Sequence, residues 1–165
     1  MLPRIHATEK ILAEMASGGR FFILEVDGVP SGYTAVLPGD HPWEAFLSKL
    51  YLLPELHGRG LGQEALEFVY AQAAGMGTSE IRLRTHIKNV KAMRAYRRAG
   101  FAAVECVVTD FGGGYVLDDY IFARPLDMPA PEAERCWRTD VRAAYIEAPN
   151  GTAGAQHAFA QLETR

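Results

Sequence analysis

Cysteine is scarce in this chain: Cys106 and Cys136 are the only two among 165 residues, too few and too far apart for a disulfide scaffold or a zinc knuckle. Free thiols fit a reducing compartment, and the N-terminal MLPRIHATEKILAEM has no apolar stretch of the kind a secretory signal needs, so a cytoplasmic location is expected. No apolar run approaches the roughly 18 residues that suggest a membrane span. Basic charge is not in excess either. Lys plus Arg number 17 against 20 Asp plus Glu, a net charge of −3, which removes the overall field that would collect nucleic acid. No internal repeat and no metal site is visible. What is present is an ordinary globular composition, 48% apolar and 22% charged, in a chain long enough to bury about 68–70% of its unfolded surface around one core.

Periodicity divides the chain into elements. Ile5, Ile11, Leu12 and Met15 lie among charges and are followed by Gly18-Gly19, which predicts an amphipathic helix over 5–16 with a glycine stop. Arg20 to Val26 reads as a strand, Asp27-Gly28 as a hairpin turn, and Tyr33 to Leu37 as the returning strand. Phe46 to Leu53 is a nearly continuous apolar run closed by Pro54, as expected of a central strand. Leu61, Ala65, Val69 and Ala73 form one helical stripe with Leu66 beside it, and Gly75 and Gly77 stop that helix. Glu80 to His86 alternates, with Ile81, Leu83 and Thr85 on one face and Arg82, Arg84 and His86 on the other.

Asn89 can cap a helix running to Ala99, with Gly100 at the left-handed position beyond it. Phe101 to Thr109, the turn Gly112-Gly113-Gly114, and Tyr115 to Ala123 then read as a closing hairpin. Pro125, Pro129 and Pro131 mark a boundary, giving a domain over 1–126 and a C-terminal extension over 127–165 with one helix from Glu132 to Glu147.

The stretch LHGRGLGQ, from Leu56 to Gln63, sets three glycines at alternate positions between a strand and a helix start. Unpaired amides converge at such a place, and the helix dipole favours an anion by about 0.3–1 kcal/mol per charge. A Walker A loop is excluded by spacing and by the missing lysine. Gly60-Leu61-Gly62-Gln63-Glu64-Ala65 does satisfy Gly-x-Gly-x-x-Ala, but a dinucleotide site also wants an acidic residue about twenty positions on. Thr85 and His86 stand there. A plain tight turn is the third reading.

A second pattern joins the first. Asn89, Ala92, Tyr96 and Gly100-Phe101 follow about thirty residues downstream of His57-Gly58-Arg59-Gly60-Leu61-Gly62, and together they resemble the GNAT superfamily of acyl-CoA-dependent N-acyltransferases from about Arg20 to Leu126. The resemblance implies a mixed α+β fold. Its central sheet is mostly antiparallel, opens between the family's fourth and fifth strands, and is flanked by helices. Relatives begin with a strand and a helix before the helix over 5–16, so the expectation is that either the N-terminus is truncated or the C-terminal tail or a second copy covers the strand edge, and a homodimer is one expectation.

The same resemblance implies acetyl-CoA as co-substrate, with no metal, and a primary amine as acceptor. Backbone of Leu50, Tyr51 and Leu52 would receive the pantetheine arm, and the amides of Gly58, Arg59, Gly60, Leu61, Gly62 and Gln63 the diphosphate. His57 stands where relatives carry Gln or Arg, and Arg59 offers a partial counter-charge. Asn89 would both cap its helix and contact the arm, the Leu52 N–H would polarise the thioester carbonyl, and Tyr96 would protonate the departing thiolate. Many relatives place a glutamate base where this chain has Arg84. His86, on the same strand face, is the substitute, with Tyr51, Glu25 or a water chain as alternatives. One carboxylate of Asp118-Asp119 would reach the acceptor pocket and favour a cationic amine, or else both serve as a solvated strand edge. Two other functions stay open: acyl-CoA binding without turnover, and nicotinamide-dependent chemistry.

Overall fold

The structure, a computed structural model, describes residues 4–126 and 141–146. Its elements run α1 (Arg4–Ala16), β1 (Arg20–Val26), β2 (Val29–Pro38), β3 (Glu44–Leu52), a 3-10 turn (Pro54–Leu56), α2 (Leu61–Gly75), β4 (Glu80–His86), α3 (Val90–Arg98), β5 (Ala102–Asp110), β6 (Val116–Pro125) and β7 (Val141–Ile146). The seven strands make one mixed sheet in the order β5-β6-β4-β3-β2-β1-β7. All neighbours are antiparallel except the central pair β3 and β4. That parallel pair needs a crossover, which α2 supplies.

Glycines set the turns where the sequence places them. Asp27 and Gly28 both have positive φ, 52° and 75°, which closes β1 onto β2 with Val26 opposite Val29. Gly100, at φ 86°, ends α3 as the left-handed residue beyond the cap. The predicted stripe of α2 is its buried face: Leu61, Ala65, Leu66, Val69 and Ala73. Leu66, Val69 and Ala73 pack with Val36, Leu47, Ile81, Leu83, Met93 and Phe122 in the larger core, between the sheet and the helices α2 and α3. A smaller core, holding Phe21, Ile23 and Ala35, lies on the other face beneath Ile11 and Met15 of α1. Fully burying side chains such as Leu66 and Val69 contributes about 1.5–3 kcal/mol each.

Two features position the site. In the β2–β3 ladder, Val36 faces Leu47 and Ala35 faces Lys49, so Ser48 is an extra residue, a bulge that bends and twists β3. The β3–β4 ladder ends at that point, with Leu47 opposite Leu83, although β3 continues to Leu52 and β4 to His86. Leu53 N–H donates to Ser31 O. Backbone groups alternate along a strand, so those of Leu52 and Leu50 face away from β2, towards the side where β4 is no longer paired.

The second feature corrects the expectation for the tail. Val141–Ile146 is a strand, not part of the helix expected over Glu132 to Glu147; the rest of that range lies outside the described residues. The Ala143-Ala144 pair favours a helix locally, but the stretch is bounded by β-branched Val141 and by Tyr145-Ile146, and the edge of β1 offers a row of hydrogen-bonding groups. Phe21 faces Ile146 and Val26 faces Val141 in the resulting ladder. The outer edge of β1 is thus covered by the chain's own tail.

Candidate active site

The glycine loop folds as bare backbone. Gly58 and Gly60 both have φ +79°, and a Cβ at either would meet nothing within 4 Å. Gly60 is the N-cap of α2, with no side-chain cap; Glu64 N–H closes the first helical turn on Gly60 O at 3.2 Å. The N–H groups of Leu61, Gly62 and Gln63 precede that bond and have no intrahelical acceptor. Gly62 is the informative residue. It is helical, lacks positive φ, and a Cβ there would meet nothing within 4 Å. A helical glycine costs about 0.8–1 kcal/mol relative to alanine, and nothing within the described chain requires it. The open space leaves room for a ligand that touches the backbone.

His57 is exposed, and its Nε2 lies 3.0 Å from Leu52 O. The carbonyl can only accept, so Nε2–H donates, and the ring ties the loop back to the end of β3 rather than standing free beside an anion. Gln63 has a role that its sequence position did not announce. Its Nε2 donates to Ala95 O at 3.0 Å, linking the first turn of α2 to α3 next to Tyr96. Asn89 caps α3 as predicted, accepting from Ala92 N–H at 3.4 Å. Glu64, one turn into α2, keeps one carboxylate oxygen buried and without a partner among the described residues; in sequence it reads only as a charge favourable to the helix start.

Tyr96 lies on the α2–α3 face, its ring 6.2 Å from that of Phe101 and 6.0 Å from that of Phe122. Burial pushes its phenol above the ordinary value, because the charged form loses solvation. The hydroxyl makes no hydrogen bond among the described residues, so it holds its proton and is free to donate it.

The opposite face holds the polar residues of β4. Arg84 Nε donates to Asp119 Oδ2 at 2.5 Å, and its Nη2 donates to Thr109 Oγ1 at 2.9 Å. Asp119 shares this face with His86, its register partner, whereas Asp118 alternates to the other. The carboxylate expected to face a cationic acceptor is therefore engaged by Arg84. His86 accepts Lys88 N–H at its Nδ1, 3.1 Å away, so the neutral ring carries its proton on Nε2. Taking a further proton at Nδ1 would break that bond. Tyr51 is also on this face, with its ring 5.6 Å from that of Tyr33. Lys49 is committed to Glu14 Oε2 at 2.9 Å. Among the described residues no group of His, Cys, Asp and Glu could hold a metal ion.

A mixed sheet whose central parallel pair is joined through a helix is shared with solved acetyltransferases. Spermidine N-acetyltransferase from Vibrio cholerae, in complex with CoA and spermine, aligns with TM-score 0.64 and 16% identity over 77% of this chain and 78% of its own. A phosphinothricin acetyltransferase from Sinorhizobium meliloti, in complex with acetyl-CoA, aligns with TM-score 0.62 and 19% identity over 75% and 70%. These likenesses define the fold, and the two named acceptors differ, so the fold leaves the acceptor open. In sequence the chain matches the Acetyltransferase (GNAT) family over residues 3–101 and belongs to it. Uncharacterized N-acetyltransferases of Mycobacterium bovis and Mycobacterium tuberculosis are 36% identical over 100 residues, 61% of this chain and 63% of theirs. The chain thus matches just under two thirds of those relatives' length.

Proposed function

We propose that this chain transfers the acetyl group of acetyl-CoA to the amine of a small molecule or peptide. The observation that carries the proposal is Gly62, a helical glycine with open space at its Cβ position, at the head of the unpaired amides of Leu61, Gly62 and Gln63. In this reading those amides hold the diphosphate, with Gly58, Gly60 and Arg59 around it, and the backbone of Leu50 and Leu52 receives the pantetheine arm as an added strand. Tyr51 flanks the arm on the acceptor side, and Asn89 approaches it from the start of α3.

The chemistry is direct attack. The neutral amine nitrogen approaches from the Arg84 face and forms the C–N bond to the thioester carbonyl carbon. Negative charge developing on the carbonyl oxygen is stabilised by the Leu52 N–H. The C–S bond then breaks, Tyr96 donates its proton to the departing sulfur, and the ammonium proton leaves to water; solvent reprotonates the phenolate. The products are an N-acetylated amine and CoA thiol. His86 does not serve as the base here, because its Nδ1 is already engaged by Lys88 N–H.

Acyl-CoA binding without turnover is the second reading, favoured by one observation: Arg84, on the β4 face, is a cation whose carboxylate neighbour Asp119 is held in an ion pair. Release of CoA thiol from acetyl-CoA, followed with a panel of amines, separates the two. Acceptor-dependent release supports transfer. Saturable binding with no release on any acceptor supports the second reading.

A further inference from the structure

We propose that the acceptor is an amine carrying its own carboxylate, as amino acids do, and that Arg84 is the residue that holds that carboxylate; this rests on the transfer activity proposed above. Arg84 is the first residue of β4 beyond the last β3–β4 pair, Leu47 opposite Leu83. It therefore borders the region from which the acceptor must approach. Ile81, Leu83 and Thr85 turn into the core, whereas the Arg84 side chain remains 40% exposed on the other face.

The guanidinium is oriented before any ligand arrives. Nε bonds Asp119 and Nη2 bonds Thr109. The N–H groups of Nη1 and one N–H of Nη2 have no acceptor among the described residues. A guanidinium with donors left on both terminal nitrogens can receive the oxygens of a carboxylate. Because Asp119 and Thr109 already fix the fork, little orientational freedom remains to be lost on binding.

Of the carboxylates on this face two are already paired, while Glu105 of β5 stands in line with Arg84 through Ile121. Asp119 is 8% exposed and lies against Arg84, Glu14 is taken by Lys49, and His86 presents Nε2–H when neutral. A polyamine or amino sugar would find the Asp119 charge already matched here, whereas an acceptor carboxylate would find donors.

The test compares neutral amino acids with their carboxamides and with the decarboxylated amines, reading kcat and KM for each in acetyl-CoA turnover. The acid should exceed its amide in kcat/KM by at least tenfold, chiefly through KM. In Arg84→Lys, which keeps the charge but loses the fork, that ratio should fall. In the double variant Arg84→Gln with Asp119→Asn, which leaves no buried carboxylate unpaired, it should approach one. Amides or plain amines acetylated as well as acids, or an acid preference that survives the double variant, would overturn the inference while leaving acetyl transfer intact. If acetyl-CoA binds and no amine of any kind is acetylated, the transfer reading falls and this inference falls with it.

Discussion

Gln63 on α2 and Ala95 on α3 are joined by a 3.0 Å hydrogen bond from the Gln63 side chain to the Ala95 carbonyl. The bond fixes the amide cradle relative to Tyr96, the next residue of α3. Gln63→Leu keeps the backbone amide and removes the link. The expected result is a stability loss on the order of 1 kcal/mol, with acetyl-CoA affinity changed less than kcat. Chemical denaturation and titration calorimetry measure the two effects separately.

Gly62→Ala should act in opposite directions on the free and the bound protein. The site is helical and open, so the free chain gains about 0.5–1 kcal/mol. The added methyl occupies the cradle, so acetyl-CoA affinity should fall at least tenfold. Gly60→Ala differs, because φ is +79° there; an L side chain costs about 1–2 kcal/mol in that region. Thermal melts with and without acetyl-CoA distinguish all three proteins.

Tyr96→Phe should lower kcat by about 10²-fold or more if the proton is delivered as described, with little change in acetyl-CoA affinity. The phenol has an ordinary value of 10.0 and is raised by burial, so the acid form persists throughout the neutral range, and no loss of activity below pH 10 should trace to Tyr96 ionisation. The sign for stability follows. Above pH 10 the unfolded chain releases this proton before the folded one, so stability falls as pH rises towards the folded value. Tyr96→Phe should flatten that alkaline decline, read as denaturation midpoints across the pH series.

Ending the chain after Leu126 removes β7 and bares the edge of β1 from Phe21 to Val26. An uncovered edge in mid-assembly pairs with what it meets. The shortened protein should therefore self-associate relative to the full chain, as measured by light scattering at matched concentration.

Much of this fold is legible in local pattern. The α2 stripe, the alternation of β4 and the turn glycines each follow from spacing within a few residues, and each element falls within a few residues of its predicted place. The tail is the exception. The adjacent alanines of 141–146 are compatible with a helix, and only the β1 edge, more than a hundred residues away in sequence, makes the strand the better state. The candidate site divides in the same way. The glycine loop and Asn89 are local and readable. The orientation of Arg84 depends on Asp119, 35 residues distant, and the engagement of His86 depends on a backbone amide whose direction no side-chain pattern specifies. The Ser48 bulge is likewise a property of the pairing with β2, visible only once the register is known.

The most direct measurement of the central claim is calorimetric titration of the full chain, and of its Gly62→Ala variant, with acetyl-CoA. Saturable binding at one site per chain, weakened at least tenfold in the variant, is the predicted result. No binding by a folded wild-type chain, or equal affinity in the two proteins, would contradict a backbone cradle for the coenzyme.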